Sequence, residues 1–358
     1  MSTSIGQYGQ VGSALILAAG IKQMAESQET LSWETSAGTL SETYAGLGSS
    51  RSSALSLTPK ITQIESYQSN VSSAQSSLTV TASALSQIVS MAQTLDSNIL
   101  SISGTTTSTA VTGVADEAQT ALTDLATTLN TSDGTGYVFA GQDSTEPPVK
   151  DTSTISSGTL ATEISSIVSS LSTSGATSVM EQATSAAGNN TSSVSVFSSN
   201  LSVTGTDATS LQKSVLTGSD SATELGVVAT QGTDSSSTST GSPIRDLMRD
   251  MMIASSLSGM SSTTSGYSDL VSQLHSSLQT TISQITNMET SVGVTQDALT
   301  TRSTLLTNMK SMLTTQLSDS RDADLATVAT QTSALNTRLQ ASYTLISDMK
   351  NMSLASYL

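Results

Sequence analysis

The chain has 358 residues, of which 40 are charged and 131 are Ser or Thr. It contains no Cys and a single His, which excludes disulfides, thiolate metal sites and multi-histidine metal centres. A formal charge of −16 and 3% aromatic residues argue against binding to nucleic acid and against docking on an anionic membrane surface. Large apolar side chains are too diluted for a thick core, so the composition favours long helices that bury narrow apolar stripes.

The most apolar early stretch, residues 11–21, does not have the pattern of a cleaved signal peptide. The first basic residue, Lys22, follows the apolar run instead of preceding it. The run is also shorter than the roughly 20 residues that a membrane helix needs. Leu17, Ile21 and Met24 have helical spacing, which indicates one face of an amphipathic helix. The sequence therefore predicts neither a cleaved signal peptide nor membrane insertion.

Two tracts of apolar residues recur every seven positions, which is the pattern of coiled-coil-like helices. The core positions of the first tract include Leu57, Ile64, Val71, Leu78 and Leu85. Those of the second tract are Val271, Leu278, Ile285, Val292, Leu299, Leu306 and Leu313. One tract cannot bury its apolar stripe alone, so we expect the two tracts to pack antiparallel. Shorter helices are predicted at 114–129 and 244–257 from the same kind of spacing.

These patterns divide the chain into three regions. Residues 1–44 and 318–358 form terminal helices with thin apolar stripes, which we expect to be stable mainly when they meet other copies, as an assembly domain. Residues 45–142 and 243–317 form the helical shaft. Residues 143–242 form a variable outer insertion. The predicted fold class is mainly α, with an elongated antiparallel coiled-coil-like shaft built from both chain halves.

The insertion is rich in Gly, Ser, Thr and Asn. Short apolar patches at 194–197, 201–203 and 225–228 alternate or contain β-branched residues, which predicts short strands. We therefore expect a small, mainly β insertion at the tip of the helical hairpin. A disordered Ser/Thr-rich segment is the alternative interpretation.

No pattern in the sequence predicts catalysis or cofactor binding. His275 lies on a heptad helix without the Ser and Asp arrangement of a catalytic triad, and phosphate-binding loop and dinucleotide fingerprints are missing. Asp319, Asp322 and Asp324 lie close together, but the Gly and the terminal Glu of a calcium loop are missing. We therefore expect a protein that is not an enzyme and holds neither cofactor nor metal.

Two segments near the chain ends resemble motifs of the flagellin superfamily. The stretch that contains Asp319, Asp322 and Asp324 is similar to the family's S-D-x-x-D-A-D stretch. The N-terminal helix followed by 36–38, Ser-Ala-Gly, resembles the family's L-S-S/T-G element. The family's next basic residue is replaced here by Thr39.

A third motif resembles hook-associated members of the superfamily. Tyr137, Phe139 and Gly141 belong to a G-T-G-Y-V-F-A-G stretch that is similar to the G-x-Y-x-F-x-G motif with which a helix ends and the outer domain begins in those members. Residues 146–149, Glu-Pro-Pro-Val, follow it. By contrast, residues 42–48 replace the family's D-D-P-A stretch.

The resemblance implies a structural subunit of the bacterial flagellum at the hook–filament junction. It further implies self-assembly, with the two terminal segments as the inner assembly domain, contacts with an adjacent hook-associated protein and with flagellin, and an export chaperone. Export would pass through the flagellar type III channel to the cell exterior without a cleaved signal peptide. Filament flagellin is the alternative within the superfamily, and a secreted coiled-coil effector or adhesin is the alternative from another class.

Overall fold

The computed structural model describes residues 5–104 and 106–355. In these ranges the chain forms ten α-helices and one β-hairpin. In chain order they are α1 Ile5–Ala37, α2 Arg51–Ser101, α3 Ser108–Leu129, α4 Thr159–Ser169, α5 Leu171–Ser174, α6 Ala176–Ala187, α7 Gly205–Thr209, β1 Lys213–Gly218, β2 Ser221–Leu225, α8 Pro243–Ser255, α9 Tyr267–Arg321 and α10 Leu325–Ala355.

The chain divides into two compact units. The first unit combines the residues up to 66 with those from 306 onward, and the second unit comprises 67–305. The long helices α2 and α9 contribute to both units.

In the second unit, α2 and α9 pair antiparallel. The side chain of Gln75 donates to Thr300 Oγ1 at 3.1 Å, and that of Gln296 donates to Thr79 Oγ1 at 3.4 Å. As positions in α2 rise, their partners in α9 fall. The expected pairing of the two heptad tracts is therefore confirmed.

The heptad residues of this unit form the seam between α2 and α9. All eight are buried, namely Val71, Leu78, Leu85, Val271, Leu278, Ile285, Val292 and Leu299. Burying a large aliphatic side chain contributes about 1.5–3 kcal/mol relative to leaving it exposed. This narrow stripe therefore holds long helices together in a chain that is poor in large apolar residues.

Two further helices pack against one another in the second unit. Helix α3 contacts α8, and the N-terminus of α3 is capped by the Thr107 hydroxyl, which accepts from the N–H of Ala110. Helix α8 is buried along Pro243–Ala254. The helices predicted at 114–129 and 244–257 are thus both present.

The insertion contains one antiparallel hairpin, in which Lys213 of β1 pairs with Leu225 of β2. Its remaining regular structure is helical, in α4 to α7, so the expectation that strands dominate it is not met. Leu160, Ile164 and Val168 are buried at helical spacing on α4. This apolar pattern is short and is interrupted by Ser and Thr residues, so it does not stand out in the sequence. Of the patches predicted as strands, 194–197 provides a single bridge, at Phe197, and 201–203 contributes to a 3-10 turn. The patch at 225–228 begins where β2 ends.

In the first unit, α1 pairs with α10, and the outer ends of the heptad tracts are also buried. Leu57, Ile64 and Leu306 are buried, whereas Leu313 is half-buried. The Lys310 ammonium lies 2.9 Å from the Glu65 carboxylate. Helix α2 therefore contributes to the packing of this unit as well.

Candidate assembly site

The terminal helices are held together by a small apolar cluster. Leu31 of α1 packs with Val328, Leu335 and Leu339 of α10, and Met24 lies against this group. Each of the four clustered side chains is at most 8% exposed. Over 15–37 of α1 and 325–348 of α10, where side-chain burial is described, the two helices thus share few buried side chains, so most of this surface remains available for other contacts.

Backbone hydrogen bonds join the end of α1 to the segment before α10. Gly38 has φ +68°, the left-handed conformation that ends helices and that glycine adopts without a steric penalty. Its carbonyl accepts from the N–H of Ala323 at 2.9 Å, and Thr39 forms a β-bridge with Asp322. The fold therefore brings together the two family-like motifs from opposite ends of the chain.

The three acidic residues of the carboxyl-terminal motif have different positions. Asp319 is exposed on the last turn of α9. Asp322 follows that helix and accepts a hydrogen bond from Ser318 Oγ at 2.5 Å. Asp324 caps α10, because its carboxylate accepts from Thr327 Oγ1 at 2.8 Å and from the N–H of Ala326 at 3.0 Å. The Thr327 hydroxyl and the backbone N–H groups of Ala326 and Thr327 lower the pKa of Asp324.

Large apolar side chains are exposed on both terminal helices. On α1, Leu15 and Ile16 are 66% and 76% exposed. On α10, Tyr343 and Leu345 are 59% and 52% exposed, and Ile346 is partly exposed. Large exposed apolar side chains on both helices make this pair a candidate for contacts with other subunits.

The charges are distributed unevenly between the two units. The first unit has nine acidic and seven basic residues, a net charge of −2. The second unit has 19 acidic and five basic residues, a net charge of −14. Like-charge repulsion between copies is therefore weak at the first unit and strong at the second.

The third family-like motif lies in the second unit, at the base of the insertion. Tyr137 donates its N–H to Ser144 O at 2.9 Å, and the fully buried Phe139 accepts from the N–H of Ala229 at 2.9 Å. Gly141 has φ +69°, and a Cβ there would lie 2.5 Å from the carbonyl oxygen of Leu211. The motif thus ties the chain that follows α3 to the later parts of the insertion.

Sequence reasoning missed a buried ionic cluster on α8. The guanidinium of Arg249 lies 2.8 Å from Asp250 Oδ1 and 3.3 Å from Asp246 Oδ1, and it donates to Thr184 Oγ1 and Ser277 Oγ. Burial raises the pKa of Asp250 to about 6, against the opposing effect of Arg249. The sequence shows an Arg-Asp pair repeated four residues apart, at 245–246 and 249–250, but such a pattern normally indicates a solvated helix face and does not reveal the burial.

The other candidate polar groups do not form a reactive site. His275 Nδ1 lies 2.5 Å from Asp96 Oδ1 in a pair that links α9 to α2. In the part of the chain that the structure describes, no group of three or more His, Cys, Asp or Glu side chains could hold a metal ion. Among the same residues, no helix is both long and apolar enough to cross a membrane.

The carboxyl-terminal part of the chain is similar to a known protein family. Residues 276–358 match the family model described as the bacterial flagellin C-terminal helical region. This match includes the larger part of α9, the acidic motif and α10. The chain is therefore similar to bacterial flagellin over this region, about a quarter of its length.

The fold is similar to one solved structure in particular. That structure is of a Vibrio parahaemolyticus protein described as flagellar hook-associated, and the TM-score is 0.52 over 75% of this chain and 96% of that chain. The sequence identity is 11%, so the likeness concerns the fold alone. A search of the curated proteins finds no match.

Proposed function

We propose that the protein is a self-assembling subunit of the hook–filament junction, similar to flagellar hook-associated protein 3. The observation that carries this proposal is the α1–α10 pair, in which a small buried cluster leaves most of the described surface of both helices to contact other subunits. The fold similarity to a hook-associated protein and the Tyr137 to Gly141 motif support the junction over other places in the flagellum.

Assembly proceeds through the terminal helices of the first unit. An isolated helix pair with so few buried contacts gains most of its stability from packing against neighbours. Exposed side chains such as Leu15, Ile16, Tyr343 and Leu345 supply the apolar area for that packing. The net charge of −2 allows copies of this unit to approach, whereas the −14 of the second unit keeps that part of each copy apart from its neighbours.

The proposal includes the partners and location that the family resemblance implies. The subunit contacts other copies, an adjacent hook-associated protein and flagellin, and an export chaperone holds it before assembly. Export as an unfolded chain through the flagellar type III channel places it outside the cell. The lack of Cys is compatible with such a route, because no disulfide has to be formed after export.

Filament flagellin is the second candidate, because the matched region is that of flagellin itself. The two candidates differ in the amount of protein that they require. A flagellin makes up the bulk of a sheared filament, whereas a junction protein is present in trace amounts. Quantitative mass spectrometry of sheared filaments therefore separates them.

A deletion strain viewed by electron microscopy tests the junction role. We expect hooks without filaments, with flagellin released into the medium, and we expect the full-length chain to restore filaments. A chain that lacks residues 318–358 should not restore them, although its α2–α9 seam is retained. Filaments that remain attached to hooks in the deletion strain would contradict the proposal.

A further inference from the structure

A polar cavity of about 590 Å³ lies in the second unit, between α6, the start of α8 and the loop at 234–240. Its volume falls in the range typical of small-molecule sites. The cavity wall is rich in hydroxyl groups, among them Thr184, Ser185, Thr204, Ser236, Ser239 and Thr240. Such a wall favours a ligand with many hydrogen-bonding groups over an apolar one.

One buried cation lines this cavity. Arg245 is 4% exposed, its Nη1 donates to Asn190 Oδ1 at 2.8 Å, and its Nη2 donates to the carbonyls of Leu201 and Val203, each at 3.0 Å. Its Nε is buried without a hydrogen-bond partner. The guanidinium also lies 5.2 Å from the centroid of the Phe197 ring.

Arg245 differs in its charge balance from Arg249, one turn further along α8. Arg249 is paired with Asp246 and Asp250, whereas no carboxylate of the described residues lies within ion-pair distance of Arg245. Burial lowers the pKa of Arg245 to about 10. Asp246 opposes this lowering but does not form an ion pair with Arg245. Because a buried charge without a paired counter-charge is costly, an anionic group in the cavity would be stabilised by this guanidinium.

Two carboxylates at the cavity wall limit the charge of such a ligand. Glu181 and Asp234 both line it, and Asp234 Oδ1 accepts from Thr206 Oγ1 at 2.7 Å. Carboxylates repel polyanions, but they are strong acceptors for ligand hydroxyl groups. The wall therefore suits a ligand that combines one negative charge with several hydroxyl groups.

We propose that this cavity binds a sugar acid, with the ligand carboxylate directed towards Arg245 and its hydroxyl groups towards Glu181, Asp234 and the surrounding Ser and Thr residues. The ligand is either a free sugar acid or the terminal residue of an acidic polysaccharide, since both present the same chemistry. The site is independent of the terminal helices and of the proposed assembly function.

NMR titration of the full chain with galacturonic acid and with its methyl glycoside tests the proposal. Galacturonic acid represents a free sugar acid, and its methyl glycoside represents the terminal residue of a polysaccharide. The probe that binds more tightly therefore identifies which of the two forms the cavity takes. We expect saturable shifts that neither galactose nor acetate reproduces. Equal binding of galactose or of acetate, or the lack of any saturable shift with both acids, would overturn the proposal.

Two variants on α6 place the ligand in this cavity. Ser185→Trp puts an indole at the cavity wall and should abolish binding, whereas Gln182→Trp changes an exposed residue that is not part of the wall and should leave binding intact. Arg245→Gln should weaken binding at least about tenfold through the loss of a charge-assisted contact. Unchanged binding by Ser185→Trp would contradict the site even if Arg245→Gln fails to fold.

Discussion

The backbone N–H of Leu40 donates to the carbonyl of Arg321 at 2.8 Å. This hydrogen bond links the segment that follows α1 to the last residue of α9. Next to it, Thr39 bridges to Asp322 through the main chain, and the Thr39 hydroxyl accepts from Trp33 Nε1 at 3.2 Å. Main-chain pairing depends little on the identity of the side chain. The pairing is therefore compatible with Thr39 at a position where the motif that this segment resembles has a basic residue.

The first prediction concerns Gly38, whose positive φ allows the chain to leave α1 towards this bridge. A Cβ at Gly38 would meet nothing within 4 Å, so Gly38→Ala should cost only the penalty of the left-handed conformation, about 1–2 kcal/mol. Gly20 lies inside α1 with similar open space, so Gly20→Ala should stabilise the helix by about 0.5–1 kcal/mol. Hydrogen exchange of α1 amides measures both effects, and equal changes in the two variants would contradict the assigned conformation.

The second prediction concerns the cap of α10. The hydrogen bonds from Thr327 and Ala326 lower the pKa of Asp324 below its ordinary value of 3.8. The capping contribution is therefore fully present above pH 3.8 and is lost as the pH falls through the lower pKa of the folded state. We expect the first turn of α10 to exchange its amides faster below that pH, relative to the intrinsic exchange rate. Asp324→Ala should remove this pH dependence, and a variant that retains it would argue against the cap.

The third prediction concerns the seam between α2 and α9. Leu85 and Leu299 are 0% and 1% exposed, so each change to Ala should cost about 2–4 kcal/mol of the free energy of unfolding. Leu100→Ala and Val294→Ala are matched controls, because these side chains are 55% and 64% exposed, and each should cost less than about 0.5 kcal/mol. Urea denaturation followed by circular dichroism measures all four. Similar costs for buried and exposed positions would mean that the seam is misassigned.

The α2–α9 pairing was predictable from the sequence, because a seven-residue apolar period sustained over many turns is typical of helices that pack along their length. The insertion was less predictable, since α4 and α6 are short and their apolar residues are diluted by Ser and Thr. The sequence alone also suggests that 143–242 could be replaced by a linker without loss of the fold. The structure argues against that inference, because α4 and α6 both pack on α8.

The polar contacts of α8 were beyond sequence reasoning for a different reason. Alternating Arg and Asp on one helix normally indicates a solvated face. Here the insertion covers that face, and it supplies Thr184 together with the carbonyl of Thr238 to Arg249. Long-range burial, which no local pattern reports, thus decides whether these charges lie on the surface or in the core.

The fourth prediction follows from this buried cluster. Arg249→Met would leave Asp250 buried without its counter-charge, so we expect a loss of about 3–5 kcal/mol in the free energy of unfolding. Lys310→Met breaks the more exposed pair with Glu65 and should cost no more than about 1 kcal/mol. Chemical denaturation of both variants makes the comparison. A cost for Arg249→Met as small as that for Lys310→Met would show that the cluster is open to water.

The last prediction separates folding from assembly on the same helix. Leu335 and Leu339 face α1, whereas Tyr343 and Leu345 are more than half exposed in the single chain. If the exposed side chains contact other copies, the double change Tyr343→Ser and Leu345→Ser should leave the melting curve unchanged but abolish assembly. Val294→Ser, which alters an equally exposed apolar residue of the second unit, should affect neither. Sedimentation velocity of the purified chains measures assembly. Limited proteolysis adds a second measure, because the protease should trim the free monomer to near residues 45 and 317. The assembled protein should resist this digestion. Assembly of the double variant at the wild-type level would show that copies meet through a different surface.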